Sequence, residues 1–114
     1  MINYSISGKT LTVNGNRVDF EHDIKNTVEV DGLVVVMLWN MSTGNIQKQP
    51  FNNVYAVDEN GKIIWNLKDV IGNDGLYTML RLDEAKRLVA VEFIGMNYII
   101  DAKNKQLVGG KAYK

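Results

Sequence analysis

Between Asn53 and Trp65 the chain reads N-V-Y-A-V-D-E-N-G-K-I-I-W, and no other stretch restricts the possible folds as strongly. Val54, Tyr55, Ala56 and Val57 form one apolar, β-favouring run, Ile63, Ile64 and Trp65 form another, and Asp58-Glu59-Asn60-Gly61 lies between them. Asp58 can accept from the backbone two residues on, and Gly61 supplies the positive φ that closes a type I turn with a bulge, so the stretch is a β-hairpin. Both strands are largely apolar on both faces. A half-exposed strand would alternate apolar with polar residues, so this hairpin belongs to a sheet covered on both sides.

The rest of the chain follows the same grammar. Tyr4 to Ile6 and Thr10 to Val13 flank Ser7-Gly8, and Asn14-Gly15 suits a two-residue type I′ turn, which makes the opening a β-meander. The strand after that turn is expected to place Val18, Phe20, His22 and Ile24 on one face and Arg17, Asp19, Glu21 and Asp23 on the other. Leu33 to Leu38 lacks polar alternation and reads as the core strand, so Val35→Asp should be far more damaging than Asp31→Gly. Asn40 to Asn52, with Gly44 and the single proline Pro50, reads as a long structureless connection, of the kind that often carries function. Asn66 to Gly75 is a connector with room for one short helical turn, and no long amphipathic helix is evident. Leu76 to Leu82 and Leu88 to Ile94 are strands joined through Asp83 to Arg87. Asn97 to Ile100 pairs with Gln106 to Val108 across Asp101 to Asn104, where Asn104 stands where Gly61 stood.

An internal repeat is visible in register. Y-A-V-D-E-N-G-K aligns with Y-I-I-D-A-K-N-K at a spacing of 43 residues, pairing Tyr55 with Tyr98, Asp58 with Asp101 and Lys62 with Lys105. Upstream, Gly32 to Val36 resembles Arg87 to Val91 at a spacing of 55, so the Asn40 to Asn52 loop looks like an insertion in one of two copies. A weaker third copy is Tyr4 to Lys9.

Composition removes many functions. A chain of 114 residues with 46% hydrophobic content fits one domain spanning residues 1–114. Thirteen basic and thirteen acidic residues cancel, leaving no global field to attract nucleic acid or an anionic membrane. The absence of cysteine removes disulfides, thiolate nucleophiles and Cys-ligated metal sites. The longest apolar run, Leu33 to Trp39, is far shorter than the roughly 20 residues that span a bilayer. M-I-N-Y-S-I-S-G lacks a basic stretch followed by a long apolar segment, so the expected location is the cytoplasm.

Catalytic and metal motifs are equally sparse. His22 is the only histidine, and in a strand Glu21 and Asp23 would point away from it. Asp58 to Gly61 lacks the spacing and closing glutamate of an EF-hand loop. There is no G-x-S-x-G elbow and no phosphate-binding G-x-x-x-x-G-K-[ST] loop. Asp83 and Glu84 read as solvated turn carboxylates rather than an acid/base pair. Trp39 and Trp65 each end an apolar strand and read as core.

The phrase V-Y-A-V-D-E-N-G-K-I-I-W resembles the outer hairpin of blades in quinoprotein-type β-propellers. About ten strands are too few for a closed propeller, so the resemblance implies an all-β antiparallel meander of blade-like hairpins packed as a sandwich or partial barrel. More broadly, the N-terminal hairpin, D-G-L-V-V-V, the central hairpin, K-R-L-V-A-V and G-M-N-Y-I-I-D together resemble small uncharacterised bacterial cytosolic proteins. Several of those look like immunity partners of polymorphic or contact-dependent toxins. The resemblance implies inhibition by binding a cognate protein toxin, a nuclease domain among the candidates, with no enzymatic activity and no cofactor.

The residues themselves nominate a contact surface. Asp19, Glu21, Asp23, Glu29 and Asp31 form an acidic stripe against Arg17 and Lys25, while the tail carries Lys103, Lys105, Lys111 and Lys114 against Asp101. Charge is segregated although the total is zero. Either the stripe is a solvated edge that resists aggregation, or it meets a basic toxin site. Asn40, Gln47, Lys48 and Phe51 of the long loop complete the candidate partner-binding set. Two other outcomes stay open: a small-molecule or carbohydrate module using Tyr55, Trp65 and Tyr77 around a cleft, and a structural subunit of an oligomer. The chain is expected to be a monomer or a small homo-oligomer.

Overall fold

In a computed structural model of the chain, which describes residues 2–112 and the side chains of residues 2–110, eleven antiparallel strands form three consecutive meander sheets. The first sheet holds β1 (Tyr4–Ser7), β2 (Thr10–Val13) and β3 (Asn16–Asp19). The second holds β4 (Asp23–Val30), β5 (Leu33–Trp39), β6 (Val54–Val57) and β7 (Ile63–Asn66), and the third holds β8 (Tyr77–Leu82), β9 (Leu88–Glu92), β10 (Met96–Asp101) and β11 (Gln106–Ala112). A five-residue helix, α1 (Leu67–Ile71), joins the second sheet to the third, where the sequence leaves room for one turn. The all-β sandwich of hairpins is the architecture expected.

The second sheet is the middle layer. Val34, Val36, Leu38 and Val57 face the first sheet with Leu11, Val13 and Val18, while Val35, Met37, Ala56 and Trp65 face the third with Leu80, Leu88, Ala90 and Ile100. β5 is therefore apolar on both sides, since alternate residues enter two different cores. Val34 to Met37 are fully buried, each contributing roughly 1.5–3 kcal/mol before ordering entropy is set against it. No helix of the described residues is long and apolar enough to cross a membrane.

The turns follow their residues. Asn14 and Gly15 have φ of 49° and 85°, as a type I′ turn requires. Asp31-Gly32 does the same, at 52° and 77°, and joins β4 to β5. In the central hairpin the Asp58 carboxylate accepts from the N–H groups of Asn60 and Lys62 at 2.9 and 3.0 Å, and Gly61 sits at φ 78°. Asp83 is not a merely solvated carboxylate. It accepts from the Arg87 N–H at 2.8 Å and pairs with its guanidinium at 2.9 Å, with Lys86 at φ 62°, which repeats the Asp58 turn. In the last turn the positive φ falls on Lys105, at 55°, rather than on Asn104, whose N–H and side-chain amide instead bond Asp101.

The repeat is real, but its upstream register is 54 residues, not 55. Tyr55 pairs with Val36 and packs back toward the first sheet, while Tyr98 pairs with Ala90 and packs back toward the second, so Ala90 is the counterpart of Val36. The same shift matches Gly32 to Lys86, both at positive φ. Even the bulge recurs, at Ile64 between β6 and β7 and at Val108 between β10 and β11. The copies differ where the sequence places an insertion: fourteen residues (40–53) link β5 to β6, against three (93–95) linking β9 to β10. Tyr4 packs forward onto the second sheet, opposite to Tyr55 and Tyr98, so the opening hairpin is not a third copy.

Candidate functional site

One cleft of about 280 Å³ opens beside the junction of the first and second sheets, lined by Asp19, Phe20, Glu21, His22, Leu38, Pro50, Phe51, Asn52, Asn53, Tyr55 and Ile63. Two connections build it. The first is the passage from β3 to β4. The strand expected to run through Arg17 to Ile24 breaks at Phe20 to His22, because the Phe20 and Ile24 N–H groups bond the carbonyls of Lys9 and Gly8 at 2.9 and 3.0 Å as the chain leaves one sheet for the next. That break puts Phe20 against Tyr55, with ring centroids 5.4 Å apart, and brings His22 to the same cleft as Asp19 and Glu21.

The second connection is the loop from β5 to β6, which is ordered rather than structureless. It contains a 3₁₀ turn at Ile46–Lys48, capped by the Asn45 side chain, which accepts from the Gln47 N–H at 2.9 Å. Its centre is Gln49, buried at 5% exposure, whose amide accepts from Asn40 N–H at 2.8 Å and donates to the carbonyls of Thr43 and Asn45 at 3.2 Å. Thus anchored, the loop ends by presenting Phe51 with 63% of its surface exposed. Behind Phe51 the chain is clamped again. The Asn53 side chain, 1% exposed, donates to the carbonyls of Leu38 and Tyr77 and accepts from the Tyr77 N–H, all at 2.9 Å. Asn52 takes φ 56° and bonds Gly75 and Asp74.

The structure divides the nominated residues. Asp19, Glu21 and Phe51 meet in the cleft. Asp23 lies next in the chain but outside the lining, beside Gly8. Glu29 is about 20 Å further along β4 by strand rise, where its carboxylate accepts from the Ile2 N–H at 3.2 Å, and Asp31 is in the turn beyond. The acidic stripe is therefore not one surface. Asn40 is a loop staple, its side chain accepting from the Ser42 hydroxyl at 2.6 Å, and Gln47 and Lys48 are exposed on the 3₁₀ turn away from the lining. Lys103 and Lys105 are exposed on the β10–β11 turn; Lys114 and the side chain of Lys111 lie outside the described residues. Tyr55, Trp65 and Tyr77 do not share a cleft, since Trp65 and Tyr77 are buried in the core between the second and third sheets. Phe20 and His22 were legible only as residues of one strand face, Pro50 only as part of the long loop, and Ile63 carries no sequence signal for a site.

The cleft is acidic. The Thr10 hydroxyl, at 2.6 Å, and the Arg17 guanidinium, at 3.0 Å, hold the Asp19 carboxyl below its usual range. Glu21 makes no hydrogen bond or ion pair among the described residues. No group of three or more potential metal-ligating side chains occurs among the described residues, so Glu21, His22 and Asp23 do not assemble one.

Fold and cleft together define a three-layer stack of β-meanders carrying an aromatic, acidic recess beside an exposed phenylalanine. The chain belongs to the family described as a domain of unknown function, DUF7957, whose model matches residues 1–110. No curated protein and no solved structure matches it.

Proposed function

We propose that this chain is a non-enzymatic protein-binding module, acting as a bacterial, cytoplasmic immunity protein that neutralises a cognate toxin by covering its active site. The observation that supports it best is the convergence of Asp19, Glu21 and Phe51, from two separate segments, at one recess. Phe51, 63% exposed on a loop held by buried amides, lines the recess together with Ile63, 42% exposed, and aromatic anchors ringed by polar groups dominate protein interfaces. The neighbouring carboxylates give the surface a charge that speeds encounter with a basic partner and disfavours wrong ones.

Co-expression with the product of the adjacent gene tests the proposal. A complex that survives size-exclusion chromatography and restores growth of cells making that product is expected. Phe51→Ala should weaken the complex by about tenfold or more, while Asp31→Ala, at the far end of β4, should leave it unchanged. Absence of both complex and protection ends the immunity reading.

A further inference from the structure

The cleft is lined by carboxylates and rings. Asp19 and Glu21 line it, together with Phe20, Phe51, Tyr55 and His22; among the described residues no lysine or arginine is part of the lining, and Arg17 stands beside it, paired with Asp19 at 3.0 Å. Asp19 is engaged by Thr10 and Arg17, which leaves Glu21 as the carboxylate with unused acceptors among the described residues. Ring faces carry negative potential, so a carboxylate beside the tilted Phe20–Tyr55 pair favours a positive group between the carboxylate and the rings. The protein already makes such a pairing elsewhere, where the Lys25 ammonium lies 4.3 Å from the centre of a Trp39 ring.

Size narrows the occupant. About 280 Å³ falls just below the roughly 300–1,000 Å³ typical of small-ligand pockets and suits one long side chain. Phe51 and Ile63, 63% and 42% exposed, also line the cleft and offer apolar surface to the chain that carries that residue. A guanidinium matches better than an ammonium. It is planar, less strongly hydrated, stacks on aromatic faces and pairs with a carboxylate through two parallel hydrogen bonds.

Resting on the protein-binding reading above, we propose that the cleft is a socket for a single arginine side chain on the partner, held between Glu21 and the rings of Phe20 and Tyr55. The probe is the peptide acetyl-Gly-Arg-Gly-amide, titrated into isotope-labelled protein and followed by amide NMR shifts. Shifts should centre on Phe20, Glu21, His22, Asn53 and Tyr55, saturate with a dissociation constant on the order of millimolar, and shrink as salt is added. The same peptide with citrulline, which keeps the shape and removes the charge, should bind at least about fivefold more weakly. Glu21→Gln, an exposed change that leaves packing intact, should weaken arginine binding similarly. Equal binding of the citrulline peptide, or shifts scattered away from the cleft, overturns the socket. The two proposals fail separately. A toxin complex sensitive to Phe51→Ala but not to Glu21→Gln removes the socket and keeps the binding module, whereas arginine-specific shifts without any toxin complex keep the socket and remove the immunity role.

Discussion

Three asparagines carry hydrogen bonds that neighbouring sheets cannot make for each other. Asn53 stands in for a peptide unit between β5 and β8, Asn52 ties the chain before β6 to Gly75, and Asn26, at the bulge of β4, accepts from the Leu80 N–H at 2.7 Å. Replacing Asn53 with the similarly sized leucine strands the Tyr77 N–H and two carbonyls in a dry interface, which should cost about 3 kcal/mol or more. Asn26→Leu strands one donor and should cost about 1–3 kcal/mol. Urea unfolding of both variants checks the order, and an Asn53 variant no less stable than the Asn26 one would contradict the clamp. Gly61 is constrained twice, because φ 78° suits glycine and because a Cβ there would lie 2.6 Å from the Asn16 Cβ, where the central hairpin's tip meets the first sheet. Gly61→Ala should therefore exceed the cost of about 1 kcal/mol expected for the backbone alone, and Asn16→Gly in the same chain should recover only the excess. Tyr77 and Tyr98 form the edge-on pair facing buried Glu92, and burial first, then the Glu92 charge, raises both phenols above their ordinary value of 10.0. Above that pH the unfolded phenols lose protons that the folded ones keep, so stability is full below 10 and declines as pH rises beyond it. Tyr77→Phe should flatten that decline in chemical-denaturation series taken at increasing pH; an unchanged slope would exclude Tyr77 as its source.

At the level of elements, the β5–β6 loop shows how far polar residues hide their role. Gln49 lies between Lys48 and Pro50 in a run of amides, and nothing in its neighbours distinguishes it from exposed Gln47; only its contacts make it the hub. Gln49→Ala should release residues 40–48 while leaving both sheet cores intact. Hydrogen exchange at Asn40 should then accelerate without loss of global stability, whereas a matching fall in global stability would show the loop to be part of the core. The strands were far more legible than the loop. Hairpins with Asn-Gly or Asp-x-x-Gly turns and two-faced apolar runs announce themselves through local chemistry, so β2–β3, β5 and β6–β7 emerge from the residues directly. The passage from β3 to β4 does not. Alternation continues through Phe20, His22 and Ile24, yet Lys9 and Gly8 carbonyls capture the backbone there, and a contact between segments more than ten residues apart leaves no periodic trace. That lost break is why Phe20 and His22 read only as the face opposite the carboxylates, and why the cleft itself leaves no mark in the sequence.

The whole molecule is a repeat stacked on a cap. The second and third sheets share a register, a bulge and a tyrosine that packs backward, while the first sheet finishes the stack with an outer face of Ser5, Thr12 and Arg17, none of them buried. Gly109 stands where the second sheet has Trp65, which fits the end of a stack, because Trp65 is needed only where another sheet covers it and there donates to the Ala102 carbonyl at 3.1 Å. The nominated acidic surface failed at this scale alone, since five carboxylates close in sequence were distributed by the layering to opposite ends of β4. The same layering predicts how the molecule opens. β5 is hydrogen-bonded on both edges and covered on both faces, whereas the first sheet rests on a single apolar interface, and β11, at an edge, has Leu107 and Val108 41% and 53% exposed. Local opening follows buried contact, so amides of Val35 to Met37 should exchange only through global unfolding, and those of β1 and β11 through smaller openings with a weaker denaturant dependence. Native-state hydrogen exchange across a denaturant series measures both. Convergence of β1 with β5 at the same free energy would show that cap and repeat unfold as one unit, and exchange of β5 below the global value would mean that the middle sheet does not organise the stack.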